Sequence, residues 1–197
     1  MKKQRKSFQK TISILMIVPT FVIFFSCQSQ DNKANSQLKE NTVSETKPPT
    51  LDIHAATFMG NLEALNQHIK AGSDLNEKDQ FGSSPLTIAA TFDKTAVAIA
   101  LINAGADLNV RSGDGSTPLH TASFFCRKDI VEALLEKGAD KTLINNYGAT
   151  ALETVSSPFV EVKGVYDQIS KDLGAFGFKL DYEYLEATRP IIAGMLQ

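Results

Sequence analysis

The sequence predicts an all-α fold: a solenoid of about four helix-turn-helix units closed by an extended helical C-terminal cap. Two observations carry this reading. The first is a period: Gly72, Gly105 and Gly138 stand 33 residues apart, as do Asp74, Asp107 and Asp140, and Pro85 and Pro118 keep the same interval. Several residue types in phase over three units mark a repeat array, whose units bury their apolar faces only by stacking on one another. The second is a set of helix start and stop signals inside each unit. Thr117 suits an N-cap, where its hydroxyl accepts an otherwise unpaired first-turn amide, and Pro118 suits the first helical position, where a missing N–H costs nothing. Ser84-Pro85 repeats the device. Asp129–Lys137 places Ile130, Val131, Leu134 and Leu135 on one face at helical spacing, and Gly138 suits the left-handed position that ends a helix.

The strings in phase are Ala71-Gly72-Ser73-Asp74-Leu75-Asn76, Ala104-Gly105-Ala106-Asp107-Leu108-Asn109 and Lys137-Gly138-Ala139-Asp140. With them go Gly82-Ser83-Ser84-Pro85-Leu86-Thr87, Gly115-Ser116-Thr117-Pro118-Leu119-His120 and Gly148-Ala149-Thr150-Ala151-Leu152. Period and strings resemble the ankyrin repeat over residues 46–157. The units fall at about 46–78, 79–111 and 112–144, with a divergent fourth repeat and cap over 145–197, inside a domain spanning 50–197. Repeat one is degenerate at its start, with Leu51-Asp52-Ile53-His54 in place of Thr-Pro-Leu-His. In the C-terminal part, Phe159–Asp172 reads as a longer second helix and Gly174–Phe178 as a loop. Asp181 caps a short helix from Tyr182 to Thr188, and Pro190 starts a last helix carrying Ile191, Ile192, Met195 and Leu196.

The resemblance implies binding rather than catalysis. Ankyrin proteins bind through the fingertip turns and the exposed ends of the first helices. Carried onto this sequence, the fingertips are Gln80, Phe81 and Ser83; Gly113, Asp114 and Ser116; and Asn146, Tyr147 and Ala149. The first-helix positions are Phe58 and Met59, Thr91 and Phe92, and Phe124 and Phe125. Met59, Phe92 and Phe125 are in phase at 33 residues, so an outward ladder of apolar side chains along a concave groove is expected, flanked by Phe81 and Tyr147. Apolar patches rimmed by polar residues are interaction sites, and aromatic anchors dominate binding energy. The alternative is that this stripe tucks into the inter-repeat core.

The N-terminus reads as an address. Five of the 20 basic residues lie in the first ten positions, and residues 1–26 hold no Asp or Glu. Ile12–Phe25 is almost wholly apolar, about 14 residues against the ~20 that span a bilayer as a helix. A positive stretch before a short apolar run reads as a signal peptide over residues 1–26. Phe24-Phe25-Ser26-Cys27 resembles the lipobox of bacterial lipoproteins, which implies lipidation of Cys27. Ser26 and Cys27 match it; Phe24 and Phe25 depart from it, where Leu and a small residue are usual. Cleavage without lipidation, leaving a soluble exported protein, and an apolar run that is an uncleaved anchor or a buried strand are the alternatives. Residues 27–49 then form a lipidated Cys and flexible linker: Gln28–Pro49 is polar and ends in Pro48-Pro49, too poor in apolar residues to fold. Such a leash of 22 residues spans roughly 25 Å. If Cys27 is acylated, Cys126 is left as a packed or half-exposed thiol; a disulfide between them is the alternative in an oxidising compartment.

Other classes find little support. Beyond residue 26 the chain carries 15 basic against 22 acidic residues, a net −7, which repels nucleic-acid phosphates. The three histidines form no zinc-binding pair, and there is no Cys-x-x-Cys and no Gly-x-Gly-x-x-Gly. His54 and His120 hold one repeat position, and His68 falls on a helix surface. Ser123 and Cys126 near His120 follow the repeat register rather than a catalytic pattern. Asp74, Asp107 and Asp140 recur because each follows a turn glycine, one ligand per repeat being too few for calcium. The expectation is a non-enzymatic, monomeric protein binder without cofactor or metal. It would be lipid-anchored in a bacterial cell envelope, facing the periplasm or the outside, and would take a protein partner with apolar anchors and some positive charge. A secreted or surface effector binding a host protein, and a ligand or enzymatic site within Phe159–Gln197, are the rivals.

Overall fold

The computed structural model describes residues 49–197; the signal peptide, Cys27 and nearly all of the linker lie outside them. The described residues are all-helical, as the pattern predicts. Three helix pairs come first: α1 (Ile53–Met59) with α2 (Leu62–Ala71), α3 (Pro85–Thr91) with α4 (Thr95–Asn103), and α5 (Pro118–Phe124) with α6 (Lys128–Glu136). Then follow α7 (Ala151–Ser156), α8 (Phe159–Leu173), a 3-10 turn (Gly174–Phe176) and α9 (Tyr182–Leu196). First helices stack on first helices and second on second.

The start signals work as expected. Ser84, Thr117 and Thr150 each accept the backbone amide three residues on. Thr117–His120 and Thr150–Glu153 close reciprocal capping boxes, which pair two orphan amides at once. In repeat one Asp52 substitutes, accepting from the amides of His54 and Ala55 at 2.9 and 3.3 Å. In repeats one to three the first helix then turns into its partner through a left-handed residue, and these are in phase too: Gly60, Asp93 and Cys126, at φ 71°, 56° and 55°. Only the first is a glycine, so repeats two and three hold an L residue in a strained conformation, at about 1 kcal/mol each.

Between units the recurring Asp and Asn side chains form a polar ladder. Asp74, Asp107 and Asp140 each accept the amide two residues on at 2.8 Å. Asn76 accepts the amide of Asp107 at 2.7 Å, and Asn109 that of Asp140 at 2.9 Å. Each turn is thus closed by its own Asp and tied to the next by the preceding Asn. The core beneath is aliphatic, with Leu86, Val97, Leu101, Leu119, Ile130, Val131 and Leu134 essentially sealed from solvent and small Ala89, Ala98 and Ala122 letting helices approach closely.

Three expectations are corrected. Phe159–Leu173 is a helix, but it does not take the second-helix place of repeat four. That place belongs to α9, which packs along α7 and against α6 and α5, while α8 packs on the 3-10 turn and α9. Residues 157–181 are therefore an insertion between the two helices of the fourth unit. The break at Pro190 is also absent: α9 runs from Tyr182 to Leu196 with Pro190 inside. A proline there removes the bond to the Glu186 carbonyl, but Glu186 and Pro190 are both exposed, so water can serve that oxygen. Buried Leu185, Thr188, Arg189, Ile192 and Leu196 hold one stripe across the proline. His68 is buried rather than on a surface, with Nε2 2.7 Å from the Leu51 carbonyl and Nδ1 3.0 Å from Ser73 Oγ; the chain before α1 covers it.

Neighbouring fingertip turns approach closely at Gly115. Gly115 sits at φ 78°, and a Cβ there would collide with the Asn146 side chain and lie 2.9 Å from the Asn146 amide nitrogen. Gly115→Ala therefore meets backbone strain and a blocked turn together, and a loss of about 2–3 kcal/mol is expected in denaturant melts.

Candidate partner-binding surface

The fingertips present two aromatic side chains to solvent. Phe81 is 72% exposed and Tyr147 is 55% exposed. Both turns are rigidly made: Asp79 Oδ1 accepts the amides of Phe81 and Ser83 at 2.9 and 2.8 Å, and Asn145 Oδ1 accepts those of Tyr147 and Ala149 at 3.0 and 3.1 Å. Asp114 sits on the turn between them. Its carboxylate accepts from Ser112 Oγ at 2.6 Å, the Ser116 amide at 3.0 Å and Ser116 Oγ at 2.9 Å. The Asn146 amide donates to the Asp114 carbonyl at 3.0 Å, joining the turns of repeats three and four. The three tips form one preorganised edge.

The first-helix ends are arranged differently from the expected ladder. Met59 is open, at 64% exposure. Phe58, Phe92 and Phe124 are half-buried, and Phe125 is only 6% exposed. The cause is the insertion, which lays its own aromatics across these ends. Phe178 meets Phe92 at 5.8 Å and Phe125 at 5.4 Å between ring centroids, both edge-on. Phe176 meets Phe58 at 6.3 Å, and Phe58 meets Phe92 at 4.8 Å. From α8, Tyr166 stacks on Phe124 at 4.5 Å. Phe125 is therefore core, as the alternative reading had it, and Phe58, Phe92 and Phe124 are largely used within the chain. Phase alone could not reveal this, since the covering residues lie outside the repeat.

One polar knot clamps the insertion. The Tyr166 hydroxyl donates to the Phe124 carbonyl at 2.6 Å and receives Arg189 Nη1 at 2.8 Å. Arg189 Nη2 reaches the carbonyls of Thr154 at 3.2 Å and Ser157 at 3.0 Å. One guanidinium so joins α7, α8 and α9. Cys126 lies buried close by, its thiol 3.8 Å from the Leu185 carbonyl, so of the two expected states it takes the packed one. Burial pushes this thiol up to about 11, against the pull of Arg189 and Arg127, and pushes the Tyr166 phenol up to about 12. The unfolded chain then gives up these protons first. Their contribution to stability is full below pH 9 and is lost as pH rises through 9 to 12. Urea midpoints are expected to fall over that window, and less so in Tyr166→Phe.

The His120 ring is also spoken for. A carbonyl can only accept, so Nε2 donates to Ala149 at 2.9 Å, leaving Nδ1 to accept from Thr117. Burial holds this imidazole below its ordinary range. Neither nitrogen is free to activate Ser123 or Cys126. His54 uses its Nε2 differently, 2.9 Å from the Glu77 carbonyl, so both histidines at this repeat position reach a backbone carbonyl further along the chain, though not the same one in register. Among the described residues no group of His, Cys, Asp and Glu side chains converges as a metal site, and no helix is long and apolar enough to cross a membrane.

Comparison with known proteins agrees with the stacked pairs. A family model described as ankyrin repeats, in three copies, matches residues 53–153. No curated protein matches the chain. The match spans the three regular pairs and the start of α7, stopping before the insertion, and covers just over half of the sequence: the chain belongs to the ankyrin-repeat family.

Proposed function

We propose that this protein is a non-enzymatic scaffold of the bacterial cell envelope, tethered by a lipid on Cys27, that binds a partner protein along its fingertip edge. The observation that carries the binding surface is the exposure of Phe81 and Tyr147 on turns locked by Asp79, Asn145 and Asp114. Rigid aromatic anchors lose little entropy on binding, and apolar side chains held in water on a preorganised edge are the features of a binding surface. The tether rests on the basic and apolar N-terminus and on the Ser26-Cys27 pair.

A crosslinking pull-down from the native cell tests both parts. The full chain is compared with Phe81→Ala/Tyr147→Ala and with Cys27→Ser. The double variant is expected to melt within about 0.5 kcal/mol of wild type and to lose the enriched partner. Cys27→Ser is expected to leave the membrane fraction. A partner retained at full yield by the double variant would contradict the fingertip edge, and a cytosolic wild-type chain would contradict the envelope location.

A further inference from the structure

The fingertips are not the only unsatisfied surface. Beside the first-helix ends the insertion leaves open a cleft of about 370 Å³, whose apolar wall is Phe58, Met59, Phe92 and Phe176 and whose rim carries Lys94 and Lys179. The 3-10 turn divides its two aromatics: Phe178 is 6% exposed and fills the gap between Phe92 and Phe125, whereas Phe176 stands at the lip, 60% exposed. Among the described residues nothing covers Met59 and Phe176, so the outer part of this wall meets water.

The charge around this wall runs against the rest of the domain. Residues 49–197 carry 12 basic and 19 acidic residues. At the cleft the balance reverses. Asp93 is the one carboxylate lining it, and Arg127 Nη1 pairs with it at 3.2 Å. Lys94 and Lys179 have no carboxylate within salt-bridge distance among the described residues. The Lys94 stem is laid over Gly60, its Cδ 3.2 Å from where a Cβ would stand, so a glycine at the end of α1 makes room for this lysine at the cleft.

We propose that the cleft docks an acidic peptide segment of a partner protein, laying one aromatic or aliphatic side chain against the wall made by Phe58, Met59 and Phe176 and setting carboxylates against Lys94 and Lys179. The volume sits at the low end of that of ligand pockets and suits one or two side chains rather than a domain. The two lysines select a negative flank, and like charges juxtaposed at an interface are strongly disfavoured. This rests on the reading of the chain as a protein binder, but uses residues apart from the fingertips.

The test is fluorescence anisotropy with the full chain and two labelled peptides, Glu-Glu-Phe-Leu-Glu and Lys-Lys-Phe-Leu-Lys. The acidic probe is expected to bind and the basic one not. Lys94→Glu/Lys179→Glu should weaken the acidic probe by about tenfold or more, the milder Lys94→Gln/Lys179→Gln by less, and Phe176→Ala by several-fold, while Phe81→Ala/Tyr147→Ala leaves it unchanged. Because Lys179 and Phe176 are exposed and Lys94 half-exposed, unchanged melts are expected to accompany these losses. Equal binding of both peptides, or an affinity indifferent to Lys94 and Lys179, would overturn the proposal. So would binding only to phosphatidylglycerol vesicles, which would assign the lysines to a membrane. So would affinity that emerges only in Glu40→Gln/Glu45→Gln, which would assign the cleft to the chain's own N-terminal segment. If the peptide fails while the fingertip-dependent partner is still captured, this inference alone falls.

Discussion

Phe125→Ala is expected to lower the stability of the domain by about 3–5 kcal/mol, the range for truncating a buried phenylalanine. The ring is 6% exposed and meets Phe124 at 5.1 Å and Phe178 at 5.4 Å, with the Arg127 guanidinium 5.8 Å from its centroid. Truncation leaves a cavity and also removes the seat on which Phe178 holds the insertion. Phe92→Ala should cost less, about 1–3 kcal/mol, because that ring is half-buried. Both rings touch Phe178, so the double variant should depart from additivity, as neighbours sharing a partner do. Urea melts of the three variants check this. A double variant as stable as wild type would return these rings to an open groove.

Arg189→Met is the second large effect, about 3 kcal/mol or more. Arg189 is 3% exposed, and no carboxylate lies within salt-bridge distance among the described residues. Its charge is spread over the Tyr166 hydroxyl and the carbonyls of Thr154 and Ser157. Replacing all members of a buried polar cluster by apolar groups can be neutral, but removing one strands the others. Hydrogen bonds to a charged group contribute about 1.5–3 kcal/mol each. The loss should be local at first: α8 is held by Tyr166, so limited proteolysis is expected to cut within residues 157–181 while repeats one to three stay protected. Tyr166→Phe, which keeps the stacked ring and loses only the hydroxyl, should show the same cleavage more weakly. An Arg189→Met chain with wild-type resistance would contradict the clamp.

The parts of the fold legible in the sequence are those dictated within one repeat. Thr117, Pro118 and Gly138 announce helix ends because capping is a local bargain between a side chain and the nearest amides. Asp74 and Asp107 recur because each closes its own turn. The period also puts residues of like environment in phase, and that is its limit. It placed Met59, Phe92 and Phe125 together, yet Met59 is open and Phe125 is sealed. The difference is made by Phe178, which lies outside the repeat and follows no period. For the same reason the register after Val155 led to α8 as the second helix, when the stripe from Leu185 to Leu196 in α9 packs there. His68 escaped because its partner, the Leu51 carbonyl, comes from the chain before α1. The left-handed turns at Asp93 and Cys126 were missed although Gly60, in phase with both, is the signal that could have found them.

The fingertip edge, and not the outer face of the stack, is the surface proposed to meet the partner. Site-specific photo-crosslinking tests it most directly. A benzophenone amino acid is placed at position 81 on the edge, or at position 99 on α4, where Ile99 is 37% exposed on a second helix. Covalent capture of one protein in the native cell from position 81 and not from position 99 is the predicted result. Capture of the same protein from position 99 with none from position 81 would contradict the account.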